Sequence, residues 1–228
     1  YCSERGSGDF AGDQTLSIPN QFIEVKERMK NKWPHAQYIA YFQAYTNTYA
    51  TVKRLREVYE EALAQENVVG LAISTRPDCL PEEVLQYLEE LNQKTYLWVE
   101  LGLQSSHDKT LKWMGRGHDY AQFIEGLEQL HSRGIRVCVH IILGLPGENK
   151  AKMMETAQAV AQLPLEGIKI HLLHVLKGTK LATVYQHEPF ELMTKEAYVS
   201  LVVDILEVLP PEMVIHRLTG DGPPNDLI

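Results

Sequence analysis

The segment from Val137 to Glu148 constrains this chain more than any other. Val137-Cys138-Val139-His140-Ile141-Ile142-Leu143 is an apolar run broken once, by His140. It is short, rich in β-branched residues and closed by Gly144, Pro146 and Gly147. Such a run reads as a strand buried on both faces, and strands of that kind belong to parallel sheets covered by helices. The Gly/Pro turn would not be tolerated inside a helix. Helical periodicity resumes at Lys150, so the strand ends in a glycine-rich loop that feeds a helix. Ligands bind at the carboxyl ends of strands in parallel α/β folds, and His140 lies just before that end.

The same alternation runs through the chain. A helix is expected to start at Ser17-Ile18-Pro19, with Phe22, Val25 and Met29 on one face, and helical patterns follow at Val52 to Ala64, Pro81 to Asn92, around Lys109 to Trp113, Tyr120 to Ser132, Lys150 to Gln162 and Lys195 to Val208. Strands are expected at Tyr38–Phe42, Val68–Ser74, Tyr96–Leu101, Ile135–Leu143, Gly167–Leu173 and Met213–Leu218, with a long polar connection from the fifth strand to Pro189. Strand–helix alternation implies a parallel sheet with right-handed crossovers. Six such units are short of the eight in a closed barrel. An incomplete α/β barrel and an open wound sheet both satisfy the pattern.

Composition narrows the function classes. The length of 228 residues suits one α/β domain with a sizeable core or two small domains, and 44% hydrophobic and 23% charged residues are ordinary for a globular protein. A net charge of -8 argues against broad nonspecific binding to nucleic acid. No apolar run has the length of a membrane span, so no membrane association is expected. Cys2, Cys79 and Cys138 are sparse and odd in number, which suggests reduced thiols and a cytoplasmic protein. The chain opens in a small-residue loop without Met and closes on a turn. It reads as the middle of a longer protein.

Polar residues recur at the carboxyl ends of the strands: Gln43 and Thr46; Ser74, Arg76 and Asp78; Glu100 and Gln104; His140; His171 and His174; His216 and Arg217. This recurrence points to one composite site. Loops begin where strands end, and that alone accounts for Arg76, Asp78 and Arg217. It does not account for Glu100 and His140, which sit in apolar surroundings where such side chains must be paired or aimed at a ligand. His140 is either a satisfied core histidine or a functional one. Cys138 alternates with His140 and packs as a small hydrophobe. His171 and His174 lack the spacing of a zinc pair. The glycine turns match neither a Walker A loop nor a dinucleotide fingerprint, and no Gly-x-Ser-x-Gly elbow is present.

Tyr1-Cys2-Ser3-Glu4-Arg5-Gly6-Ser7-Gly8-Asp9-Phe10 resembles the end of the cluster loop of the radical S-adenosylmethionine (SAM) superfamily. Thr75-Arg76-Pro77-Asp78, Glu100-Leu101-Gly102-Leu103-Gln104-Ser105, Arg116-Gly117-His118 and Gly144-Leu145-Pro146-Gly147-Glu148 are similar to landmarks of one branch of it. That branch contains oxygen-independent coproporphyrinogen oxidase and the elongator catalytic subunit. His171–Thr179 and Arg217–Asp221 resemble an uncharacterised bacterial family labelled putative Fe–S oxidoreductase.

The resemblance implies a partial (β/α)6 TIM-like barrel, truncated at both ends, spanning residues 1–228 as a radical SAM core. It implies a 4Fe-4S cluster with Cys2 as the third cysteine ligand, the other two lying upstream, and a carboxyl-terminal extension beyond the chain. By position, Gln43, Thr46 and Asn47 would lie at the SAM amino group, and Ser74, Arg76 and Glu100 in the surrounding cofactor site. Gln104 and Arg116 would lie near the SAM carboxylate and ribose. His140 stands where relatives carry an Asp near the ribose. Ile142, Gly144, Leu145 and Pro146 would flank the adenine. The implied activity is reductive SAM cleavage to a 5′-deoxyadenosyl radical that takes hydrogen from an unknown small-molecule or RNA substrate, with flavodoxin or ferredoxin as electron donor. Without the resemblance, two other readings remain: a barrel enzyme using metal or acid–base chemistry, and a non-catalytic RNA-binding domain.

Overall fold

The computed structural model describes residues 12–13, 15–220 and 225–228. Within them a six-stranded sheet runs in the order β1-β2-β3-β4-β5-β6, every neighbouring pair parallel. The strands are β1 (Tyr38–Phe42), β2 (Val68–Thr75), β3 (Tyr96–Gln104), β4 (Arg136–Leu143), β5 (Gly167–Leu172) and β6 (Val214–Arg217). The helices are α1 (Ile18–Met29), α2 (Val52–Leu63), α3 (Glu82–Lys94), α4 (Asp108–Trp113), α5 (Tyr120–His131), α6 (Lys150–Ala161), α7 (Lys180–His187) and α8 (Lys195–Val208).

Local signals set the helix starts. Thr51, Asn149, Thr179 and Thr194 each accept a backbone N–H from the third residue of α2, α6, α7 and α8. Asp119 and Gln122 close a reciprocal capping box on α5. Pro81 stands at the cap of α3 rather than at the expected first helical position. Inward faces repeat at helical spacing: Leu55, Tyr59 and Ala62 on α2, and Phe123, Leu127 and Leu130 on α5.

These faces meet one side of the sheet. Leu71 and Ile73, Leu97, Val99 and Leu101, Val137, Val139 and Ile141, and Ile168 and Ile170 join the helices in one continuous core. Alternation sends the intervening residues to the other side. There Ala72, Trp98 and Cys138 form a small apolar cluster of their own. Above it come Ser74, Glu100, His140 and Lys169.

The sheet is curled, and Lys169 shows it. Its ammonium lies 4.1 Å from the ring centre of Tyr41, although β5 and β1 are four strand spacings apart, roughly 19 Å in a flat sheet. A lysine cannot span that distance. The second side of the sheet is therefore the hollow of a half-barrel, and this decides between the two architectures in favour of the incomplete barrel.

Two local readings need correction. The connection to Pro189, expected to be irregular, contains α7 with Leu181 and Ala182 buried. It is too short for periodicity to reveal, and only its Thr179 cap marks it. β3 continues through Gly102 to Gln104, because Gly102 pairs with His140 in the β3–β4 ladder.

Candidate functional site in the half-barrel hollow

Glu100 is the centre of the hollow. It points away from the helix-packed core and is only 2% exposed. Its Oε2 accepts from Ser74 Oγ at 2.8 Å and bonds His140 Nε2 at 2.9 Å, while Oε1 accepts from Lys169 Nζ. Tyr41 extends the network, 3.3 Å from Ser74 Oγ. Residues from β1, β2, β3, β4 and β5 thus meet on one carboxylate. The ladder explains how: Ser74 pairs with Glu100, and His140 with Lys169.

Burial alone would raise the Glu100 carboxyl, but the hydrogen bond from His140 and the charge and hydrogen bond of Lys169 outweigh it, and the group is held well below the usual carboxylate range. For His140 burial prevails over the pull of Glu100, and the ring is pushed below its ordinary value. A neutral imidazole donating one N–H to Glu100 satisfies both tendencies. The lasting positive partner is then Lys169. His171, whose ring centre is 5.4 Å from that of His140, is pushed down to about 3 by burial and then by His140 and the nearby cations. Burial, followed by the charge of Glu100, pushes the Cys138 thiol up, so it stays protonated and inert.

The carboxyl end of β3 forms the mouth above this cluster. Gln104 has φ 76°, a backbone state that few residues other than glycine adopt. Arg116 Nη2 donates to the Gly102 carbonyl at 3.1 Å. A Cβ on Gly102 would lie 2.7 Å from Gln104 Nε2 and 3.0 Å from Arg116 Nη2. Only glycine there lets the amide and the guanidinium converge. Gly144 and Gly147 have φ 84° and 82° and shape the loop after β4, with Leu145 buried and Pro146 half-buried. Ser105 Oγ bonds Glu148 Oε1, tying that loop to the end of β3. Ile142 faces the hollow one step above His140, paired with His171.

The loop after β1 is fastened to β2. Asn47 donates its side-chain amide to the carbonyls of Phe42 and Ser74, both at 2.9 Å, and its backbone N–H also bonds Ser74 O. Gln43 and Thr46 lie in the same loop, both half-buried. Arg76 is paired with Asp78, 2.9 Å from Nε to Oδ1. His118, buried beside Asp78 and Arg116, is pushed down to about 4, first by burial and then by Arg116.

Ser74, Glu100 and His140 are therefore in direct contact, Gln104 and Arg116 converge over Gly102, and Asn47 joins its loop to Ser74. Arg76 is committed to Asp78. Cys2 lies outside the described residues, and among those described no group of three His, Cys, Asp or Glu is placed to hold a metal. No described helix is long and apolar enough to cross a membrane.

Sequence reasoning missed Lys169 and Tyr41. Lys169 had a signal of its own, a lone charge inside Gly167-Ile168-Lys169-Ile170; Tyr41 had none. Arg217, whose place at a strand end suggests only the start of a loop, pairs in register with Lys169.

A curled parallel half-barrel whose strand tips converge on one hollow defines a partial α/β barrel, the class in which sites form at the carboxyl ends of the strands. The chain belongs to the radical SAM superfamily: the family model described as Radical SAM superfamily matches residues 1–160, and that of the Radical_SAM C-terminal domain matches residues 165–228. It is 55% identical over 223 residues to the uncharacterized protein YtqA of Bacillus subtilis strain 168, covering 98% of this chain and 69% of that protein. Archaeal Elp3 from Methanocaldococcus infernus shares its fold, with a TM-score of 0.82 at 21% identity over 94% of this chain. The match spans 55% of that structure's chain. Coproporphyrinogen III oxidase HemN of Escherichia coli, a radical SAM enzyme, superposes with a TM-score of 0.51 at 16% identity over 72% of this chain and 38% of its own.

Proposed function

We propose that this protein reductively cleaves SAM and uses the resulting radical on a substrate held in the hollow. The observation that carries this reading is the convergence of Gln104 and Arg116 over Gly102, directly above the Glu100 cluster. A 4Fe-4S cluster, with Cys2 as one of its ligands, would supply the electron for the reductive cleavage of SAM, drawn from a donor such as flavodoxin or ferredoxin, and the substrate would be a small molecule or an RNA.

The chain's own part is binding and exclusion. The donor set fits SAM: an amide and a guanidinium suit its carboxylate and ribose hydroxyls. The half-buried loop at Gln43, Thr46 and Asn47 meets its amino group, and Asn47 holds the loop in place by its bonds to Phe42 and Ser74. Ile142 and the turn Gly144-Leu145-Pro146 offer an apolar edge for the adenine, its backbone opened by the positive φ of Gly144. His140, neutral and oriented by Glu100, stands in register with Gly102, and we place its ring near the ribose. Glu100 itself is consumed by Lys169, His140 and Ser74 and acts as a positioning residue. Cys2 is proposed as a cluster ligand.

The ligand assignment is tested by iron and sulfide content after anaerobic reconstitution of the full-length protein. A Cys2→Ala protein should lose most of its iron while remaining folded. Full cluster content in that variant would overturn the role of Cys2.

A further inference from the structure

The hollow holds a cation that the Glu100 cluster does not neutralise. Lys169 is matched by Glu100. Arg217, half-buried at the end of β6, makes no ion pair or hydrogen bond with a described residue. Its guanidinium is turned inward. A Cβ on Gly220 would lie 3.6 Å from Arg217 Nη1 and 3.0 Å from His171 Nδ1. Its charge is felt by Tyr41 on β1, His140 on β4 and His171 on β5, three strands whose side chains line the same cavity.

A second observation points to the same place. His171 Nε2 is buried with no hydrogen-bond partner. Buried polar atoms are rarely left so; this one belongs to the ring whose other nitrogen, Nδ1, faces Gly220 together with Arg217 Nη1, so the ring and a guanidinium with no partner among the described residues share one corner of the hollow. The guanidinium only donates, so what it meets there is an acceptor, and an anionic oxygen is the strongest acceptor for a cationic donor. Arg presents its donors in a planar fork that matches carboxylate or phosphate oxygens.

We propose that Arg217 and His171 form an oxyanion site on the β5–β6 side of the hollow, which holds a carboxylate or phosphate group of the substrate. It lies apart from Gln104 and Arg116, which belong to the β3 side. That the anion is part of the substrate rests on the radical SAM reading; the site itself does not.

The test uses full-length protein without SAM, labelled with 15N. Sodium acetate and sodium phosphate are titrated separately, with sodium chloride holding ionic strength constant, and the ring nitrogens of His171 are followed. Saturable movement of those signals by one anion beyond the effect of chloride is expected, and which anion acts tells carboxylate from phosphate. Arg217→Gln should weaken that binding about tenfold or more, the scale of a lost charge-assisted hydrogen bond. No response beyond chloride, or equal affinity in Arg217→Gln, would overturn the site. Should Arg217→Gln fail to fold, Arg217→Lys decides: it keeps the charge but loses the fork, so several-fold weakening supports the site and unchanged affinity overturns it. Anion binding in a wild type that does not cleave SAM would reject the radical reading and leave the oxyanion site standing.

Discussion

Lys169 on β5 places its ammonium against Glu100 on β3, and the same ammonium rests over the ring of Tyr41 on β1. The ion pair therefore links β5 to the middle of the sheet, and the ring contact carries the same ammonium across to the edge strand β1. Both partners are nearly excluded from water, at 8% and 2% side-chain exposure. A pair so buried is worth little against an apolar substitute, but it is costly to break from one side.

Removing either charge alone should therefore be severe. Glu100→Gln is expected to lower unfolding free energy by about 3–5 kcal/mol by stranding Lys169, and Lys169→Met by a similar amount by stranding Glu100. The double variant should cost clearly less than the sum of the two, as contacting residues couple. Urea unfolding of the four proteins measures this. Strict additivity would show that the two groups are not paired.

Stability should fall with acid from about pH 6.5 downward. His118 and His171 titrate near 4 and 3 when folded, against about 6.5 when unfolded. Between these values the unfolded chain binds more protons, so stability is complete above about pH 6.5 and declines as pH falls toward the folded values. The slope is up to ~1.4 kcal/mol per pH unit for each histidine. Glu100 acts in the same direction at lower pH. Its depressed carboxyl gives stability that is present above the unfolded glutamate value of about 4.3 and lost as pH falls through the folded one. Urea melts at pH 5 and pH 7 measure the loss, and His118→Gln or His171→Gln should flatten it.

Two glycines of the sheet should behave in opposite ways. A Cβ on Gly102 meets only the flexible tips of Gln104 and Arg116, so Gly102→Ala should stay folded but displace the site, weakening SAM binding about tenfold, or ~1.4 kcal/mol. A Cβ on Gly70 would lie 2.4 Å from the backbone oxygen of Tyr96. Gly70→Ala should cost about 1–3 kcal/mol of stability through overpacking and leave SAM affinity unchanged in the folded fraction. Calorimetric titration of SAM and thermal melts of both variants separate the two effects.

The layout of the fold was legible because each strand is bounded by turn residues and most helices are long enough to show their apolar face. α7 was not, since a helix of two turns gives no period. Glu100 and His140 stood out because a buried strand rarely carries an acid or an imidazole without a partner. Their partner Lys169 sits on β5, three helices and a strand beyond Glu100, and nothing in the sequence says that β5 curls back over β3. The same curl turns Arg217 inward, whereas its position at a strand end suggested only the start of a loop. Gly102 looked like the end of β3. Its actual role, leaving room for Gln104 and Arg116, depends on side chains that meet only in three dimensions.

The most direct measurement is 5′-deoxyadenosine formation by the full-length protein, reconstituted anaerobically with iron and sulfide and supplied with SAM and dithionite. The wild type should release 5′-deoxyadenosine, and Gln104→Ala and Arg116→Ala should each reduce its rate about tenfold or more, with iron content intact. A fully loaded wild-type protein that leaves SAM uncleaved, or variants at the mouth of the hollow that cleave it as fast as the wild type, would contradict a SAM-binding role for the half-barrel and its strand tips.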